Sequence, residues 1–117
     1  MQYMLLIYED EAVFGDGGDS PLLADIIRRH TDFARDLQAQ GVLRGGAGLK
    51  RTASATTLRT QAGSQAIHDG PFAETREQLG GYYLIEVPDL DAATAIARRL
   101  PIARDGTVEI RPLMDDD

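Results

Sequence analysis

Between Gln2 and Tyr8, Tyr3, Leu5 and Ile7 alternate with Met4, Leu6 and Tyr8. This predicts a strand that is apolar on both faces. Gly15 to Asp19 is a loop by composition. Ser20-Pro21 then marks a helix start, a hydroxyl cap before a residue whose missing N–H costs nothing there. Leu22, Leu23, Ile26, Ile27, Phe33, Ala34 and Leu37 recur at helical spacing, and Gly41 ends the helix. Val42 and Leu43 open a strand that Gly45, Gly46 and Gly48 weaken into irregular backbone. Thr56 to Gln61 and Ala66 to His68 read as two short strands around Gly63-Ser64, with a sharper turn at Asp69-Gly70-Pro71. The clearest strand is Gly81 to Val87. Pro88 and Asp89 open a second helix with Ala92, Ala93, Ile96, Ala97 and Leu100 on one stripe. Arg98 and Arg99 suit its last turn, and Pro101 stops it. Thr107 to Leu113 is a final strand.

The order is strand, helix, strand, hairpin insertion, strand, helix, strand. Two split βαβ units predict an α+β, ferredoxin-like antiparallel sheet with both helices on one face. One domain is expected over residues 1–114, with 115–117 a solvated acidic tail. In the Gly81–Val87 strand, Tyr83, Ile85 and Val87 oppose Tyr82, Leu84 and Glu86. Strands apolar on both sides are normally covered on both sides, and two helices cover only one. A second copy of the chain, sheet against sheet, is the expected cover, giving a homodimer.

Composition narrows the function. The 117 residues carry 12 basic and 19 acidic side chains, a formal net charge of −7. That balance argues against nucleic acid and against a polybasic membrane contact. No window nears the roughly 20 apolar residues that cross a bilayer, and no targeting segment is visible, so a cytoplasmic location is expected. Cysteine is absent, which removes disulfides, thiolate nucleophiles and cysteine-based metal sites. No HExxH or HxH spacing is present, so neither a metal nor another cofactor is expected.

Few residues remain for chemistry. His30 falls on the apolar stripe of the first helix, four residues from both Ile26 and Ala34. One reading is a core histidine satisfied by backbone or water. The other is a general base oriented by a carboxylate, for which Asp10, just past the first strand, is a candidate. His68 and its neighbour Asp69 point to opposite sides of an extended chain and form no dyad. Asp69 reads either as turn chemistry before Gly-Pro or as a carboxylate at a cleft mouth. The Gly45–Gly48 cluster lacks the Lys-Ser/Thr of a phosphate loop and reads as a twist or bulge. Ser54 and Ser64 lack a nucleophile-elbow context. Glu74, Arg76 and Glu77 read as a charged turn.

The run Asp69-Gly70-Pro71-Phe72 through Gly80-Gly81-Tyr82-Tyr83-Leu84-Ile85-Glu86 resembles the signature of the DGPF, or YCII-related, family. The opening Tyr3 to Tyr8, His30 and the closing Val108-Glu109-Ile110-Arg111-Pro112 are similar to it as well. The resemblance implies a dimeric ferredoxin-like fold of mostly unassigned function. It also implies kinship with enzymes proposed to use a His–Asp dyad, among them a chloride-removing lyase. The dyad would fall on His30 and Asp10, in a chain with Glu9 and Glu11 beside Asp10 and an added Gly/Asp loop. A link to extracytoplasmic-function sigma factors is implied too.

Two functions follow as expectations. The first is a cofactor-free, lyase-like enzyme acting on a small polar molecule. In it His30 transfers protons, Asp10 or Asp69 orients the ring, and Tyr8 and Tyr82 wall the pocket. The second is a non-catalytic dimeric module that binds a small ligand or a protein partner, linked to sigma-factor regulation.

Overall fold

A computed structural model describes residues 1–15 and 20–115. Most of the loop expected at Gly15–Asp19 and the last two residues of the tail lie outside that range. Strand β1 (Gln2–Glu9) leads to helix α1 (Pro21–Ala39) and strand β2 (Leu43–Gly48). Strands β3 (Thr56–Gln61) and β4 (Ser64–Asp69) follow, then β5 (Gln78–Glu86), helix α2 (Leu90–Arg99) and β6 (Gly106–Pro112). β1, β2, β5 and β6 form one antiparallel sheet in the order β2-β5-β1-β6, while β3 and β4 pair only with each other. This α+β arrangement is compatible with a ferredoxin-like fold, each crossover helix joining two strands that flank a third.

The caps behave as the sequence predicts. Ser20 Oγ accepts from Leu23 N at 3.3 Å, and Asp89 Oδ1 accepts from Ala92 N at 2.9 Å. Gly41 takes φ 77° just past α1, a conformation that costs glycine little. Two single-turn helices, Glu11–Phe14 and Thr52–Ser54, have no periodic signal in the sequence. The first is held locally, because Asp10 Oδ1 accepts from Ala12 N at 3.0 Å.

The core lies on one side of the sheet. Tyr3, Leu5 and Ile7 of β1 and Tyr83 and Ile85 of β5 meet Phe33 and Leu37 of α1 and Ala93 and Ile96 of α2. Leu5, Leu37 and Ile85 are fully buried. The opposite parity, Met4, Leu6 and Tyr8 with Tyr82 and Leu84, lies on the other face, where register pairs Met4 with Leu84 and Leu6 with Tyr82. The molecule measures 45 × 43 × 19 Å. A thickness of 19 Å is filled by one sheet and one helix layer, each about 10 Å deep. Among the described residues no third layer covers the Leu6–Tyr82 face.

Glycine permits the close approach of β2. A Cβ on Gly46 would sit 2.8 Å from Tyr82 O and 3.2 Å from Tyr83 Cδ1. A Cβ on Gly81 would sit 2.9 Å from Ala47 O. The expected irregularity is also present, since the β2–β5 register shifts between Leu43 and Gly45.

Leu37→Ala should cost about 2–5 kcal/mol in urea unfolding, because its methyl groups lie in a closed core. Ile27→Ala, on the exposed side of the same helix, should stay within about 0.5 kcal/mol. Equal losses would contradict the one-sided core.

Candidate functional site

His30 sits on α1 three residues before Phe33, half-buried and facing β5. Its Nδ1 lies 2.7 Å from the Tyr83 hydroxyl. The two rings stack with centroids 5.8 Å apart and planes 27° apart. Phe33 meets the same tyrosine edge-on at 5.5 Å. Arg99 of α2 lies over Phe33 at 5.6 Å and pairs with Asp36 at 3.1 Å. One face of α1 therefore joins β5 and α2 through aromatic contacts and a single cation.

Burial fixes the charge state of the pair. Desolvation lowers the His30 pKa below 6.5, the Arg29 guanidinium adds to that, and the Pro101 carbonyl partly offsets it. Desolvation pushes the Tyr83 phenol up to about 12. Both groups are neutral at pH 7, so the 2.7 Å contact is a neutral hydrogen bond whose donor is set by the imidazole tautomer. The other acceptor for the hydroxyl, His30 O at 3.4 Å, is at the limit of a hydrogen bond.

The residues expected to share a pocket with His30 are dispersed. The Asp10 carboxylate caps Glu11–Phe14 through Ala12 N, and among the described residues no hydrogen bond or ion pair joins it to His30. Asp69 is exposed at the end of β4 and its carboxylate makes no hydrogen bond among the described residues. The turn after it is closed instead by backbone, Gly70 N donating to Ala55 O at 2.6 Å. Tyr8 and Tyr82 lie on the face of the sheet opposite Tyr83, so the sheet separates both from His30. A single-chain pocket built from His30, Tyr8 and Tyr82 does not form. The residue that does meet His30 is Tyr83, and strand alternation carried the signal, since Tyr83 shares the parity of Ile85 and Val87. His68 is exposed, with Nε2 3.3 Å from Pro71 O.

A shallow groove of about 330 Å³ opens between α1 and the β2 edge, walled by Ala34, Gln38, Leu43, Arg44, Gly46 and Tyr83. That volume suits a small molecule, at the low end of ligand sites. Tyr83 joins its wall to the His30 contact behind it. Among the described residues no group of three or more His, Cys, Asp or Glu could hold a metal ion, and no helix is long and apolar enough to cross a membrane.

The class of protein is thus a small α+β domain with a paired imidazole and phenol between helix and sheet. The chain belongs to the YCII-related domain family, which it matches over residues 1–116. It is 40% identical over 118 residues to an uncharacterised protein of Rhizobium meliloti (strain 1021), covering 97% of this chain and 92% of that one.

The lowered His30 pKa has a defined effect on stability. The unfolded chain binds that proton more readily, so the contribution is intact above about pH 6.5 and declines as pH falls through the folded pKa. His30→Gln should flatten this part of the pH–stability curve in urea unfolding. Tyr83→Phe should cost about 0.5–1.5 kcal/mol and change the His30 ring resonances, whereas Asp10→Asn should leave those resonances in place. A reversed order would restore a carboxylate as the partner of His30.

Proposed function

We propose that this chain is a non-catalytic, homodimeric ligand-binding module of the YCII-related family, with the Tyr83 groove as its small-molecule site. The observation that carries this reading is the partner of His30. A general base of the histidine–aspartate kind needs a carboxylate to stabilise its imidazolium, and Nδ1 is engaged by a neutral phenol instead. A neutral pair offers hydrogen bonds and aromatic surface to a ligand but no carboxylate to stabilise the imidazolium that proton abstraction would create. Arg44 and Gln38 add a cation and an amide to the same groove, which suits a small polar or anionic molecule. The dimer is supported by the second sheet face, whose half-buried apolar centre of Met4, Leu6, Tyr82 and Leu84 has no further layer over it among the described residues.

A second reading keeps His30 as the proton acceptor of a cofactor-free, lyase-like reaction. One observation favours it: the lowered pKa leaves the imidazole unprotonated at pH 7, as a base must be. Tyr83 then takes the orienting role expected of Asp10 or Asp69.

Titrating isotope-labelled protein with benzoate, phenol and pyruvate separates the two. These probes present an anion, an aromatic hydroxyl and a carbonyl. Binding without turnover should shift Tyr83, Arg44 and Gly46 amides by NMR, and Tyr83→Ala should abolish the shifts. Shifts confined to other surfaces would remove the groove. Consumption of a probe by the native chain but not by His30→Gln would replace the binding reading with the catalytic one.

A further inference from the structure

We propose that the free edge of β2 binds an extended acidic peptide as an added strand, with one peptide carboxylate held by Arg44 at the Tyr83 groove. The inference rests on that groove being a binding site, names the class of its ligand, and needs no second copy of the chain.

The sheet has two outer strands, and they are built differently. β6 carries Glu109, Arg111 and Pro112, charges and a proline of the kind that blunt an edge against further pairing. β2 has β5 on one side and no strand on the other. Past the register shift between Leu43 and Gly45, it runs Gly45-Gly46-Ala47-Gly48 without a charge or a proline. Gly46, Ala47 and Gly48 are all exposed.

Register fixes which backbone groups that edge presents. Leu49 N donates to Gly80 O at 2.9 Å, so Leu49 faces β5. Alternation along an antiparallel strand turns Ala47 towards β5 as well and directs the N–H and C=O of Gly46 and Gly48 outward. Gly81 agrees, since a Cβ built there would meet Ala47 O at 2.9 Å. Outward residues two apart repeat at roughly 7 Å, the spacing that a peptide backbone matches when it adds to a sheet. The glycines also clear the approach. A Cβ on Gly48 would meet nothing within 4 Å, and its φ is not positive, so neither crowding nor a turn requires glycine there. Close approach of another backbone is what glycine in a strand otherwise allows.

Charge selects an acidic peptide. Gly41 to Arg51 holds Arg44, Lys50 and Arg51 and no acidic residue, in a chain of net −7. Among the described residues none of the three forms an ion pair. Arg44 Nη1 donates to Gly41 O at 2.9 Å and Leu43 O at 3.2 Å, which ties the guanidinium to its own strand. Its Nε and Nη2 have no partner among the described residues, and together they offer the parallel donors that a carboxylate accepts. Arg44 is also the charged residue of the groove wall, beside Gln38, Gly46 and Tyr83. A bare anion would engage Arg44 alone, whereas an acidic peptide engages Arg44, the groove and the outward backbone of Gly46 and Gly48 together.

NMR titration of the full chain with acetyl-Thr-Val-Asp-Val-Thr-amide and its Lys-centred counterpart tests this. The acidic peptide should bind with a Kd of about 1 mM or tighter, and the basic one about tenfold or more weakly. Arg44→Gln should erase that difference. Gly48→Pro, which deletes one outward N–H, should weaken the acidic peptide about tenfold. If that variant fails to fold, amide exchange decides: Gly46 and Gly48 of the native chain should slow when the acidic peptide is bound. Equal affinity for the two peptides, or binding that leaves both glycine amides unprotected, would overturn the proposal. Benzoate shifting the Tyr83 and Arg44 amides while neither peptide binds would overturn the added strand and leave the small-molecule groove standing. No response to benzoate or to either peptide would overturn both readings. Exchange at Gly46 and Gly48 that slows with protein concentration alone would give the edge to a second copy and overturn the peptide.

Discussion

The parity of β1 and β5 is the constraint on which this structure depends. These two central strands pair with each other and carry apolar side chains on both surfaces. A side chain on one surface can reach α1 and α2, and a side chain on the other cannot. Leu5, Ile85 and Tyr83 fall to the helices; Leu6, Leu84 and Tyr82 do not. A one-residue slip in either strand would exchange the two sets. The core, the His30 contact and the open face therefore follow from a single choice of register.

That constraint also explains what the sequence made legible and what it did not. The strand at Gln2–Tyr8, both caps, the hairpin and the α2 stripe could be read because each rests on local signals: alternation, a hydroxyl or carboxylate before a helix, glycine at a turn. Element ends drifted where tertiary pairing set them. β5 begins at Gln78, three residues before the GYYLIEV run, because Gln78 and Leu79 pair with Glu9 and Tyr8. The short helix at Glu11–Phe14 was not legible because, beyond its local Asp10 cap, its support comes from distant residues. Gln78 Oε1 accepts from Glu11 N at 2.9 Å, and the Glu11 carboxylate accepts from Thr52 N and its hydroxyl.

The site was half legible for the same reason. Helical spacing placed His30 on the inward stripe. The selection of Tyr8 and Tyr82 as its neighbours ran against the alternation that had already assigned Tyr83, Ile85 and Val87 to a common side. Asp10 was a candidate by its place just past the first strand and by the family resemblance, yet a carboxylate there has backbone N–H groups within reach, and Ala12 N engages it first. What sequence spacing cannot supply is this competition between a local cap and a distant imidazole.

The two surfaces of the sheet then divide the labour of the molecule. On the helix side, a buried phenol and imidazole neutralise each other's hydrogen-bonding needs without any charge, which stabilises the α1–β5 contact and leaves the tyrosine ring as a groove wall. On the other side, half-buried apolar residues have no further layer over them among the described residues, while acidic and basic side chains of β6, Glu109 and Arg111, border them through Leu6 and Met4. An apolar centre with a charged border is the arrangement that the proposed dimer would use. The proposed ligand site and the proposed assembly surface are thus separated by the thickness of one sheet, with consecutive residues Tyr83 and Tyr82 on its two sides. Under that proposal, a ligand that shifts Tyr83 in the groove acts on the same strand, β5, that carries Tyr82 and Leu84 to the opposite face.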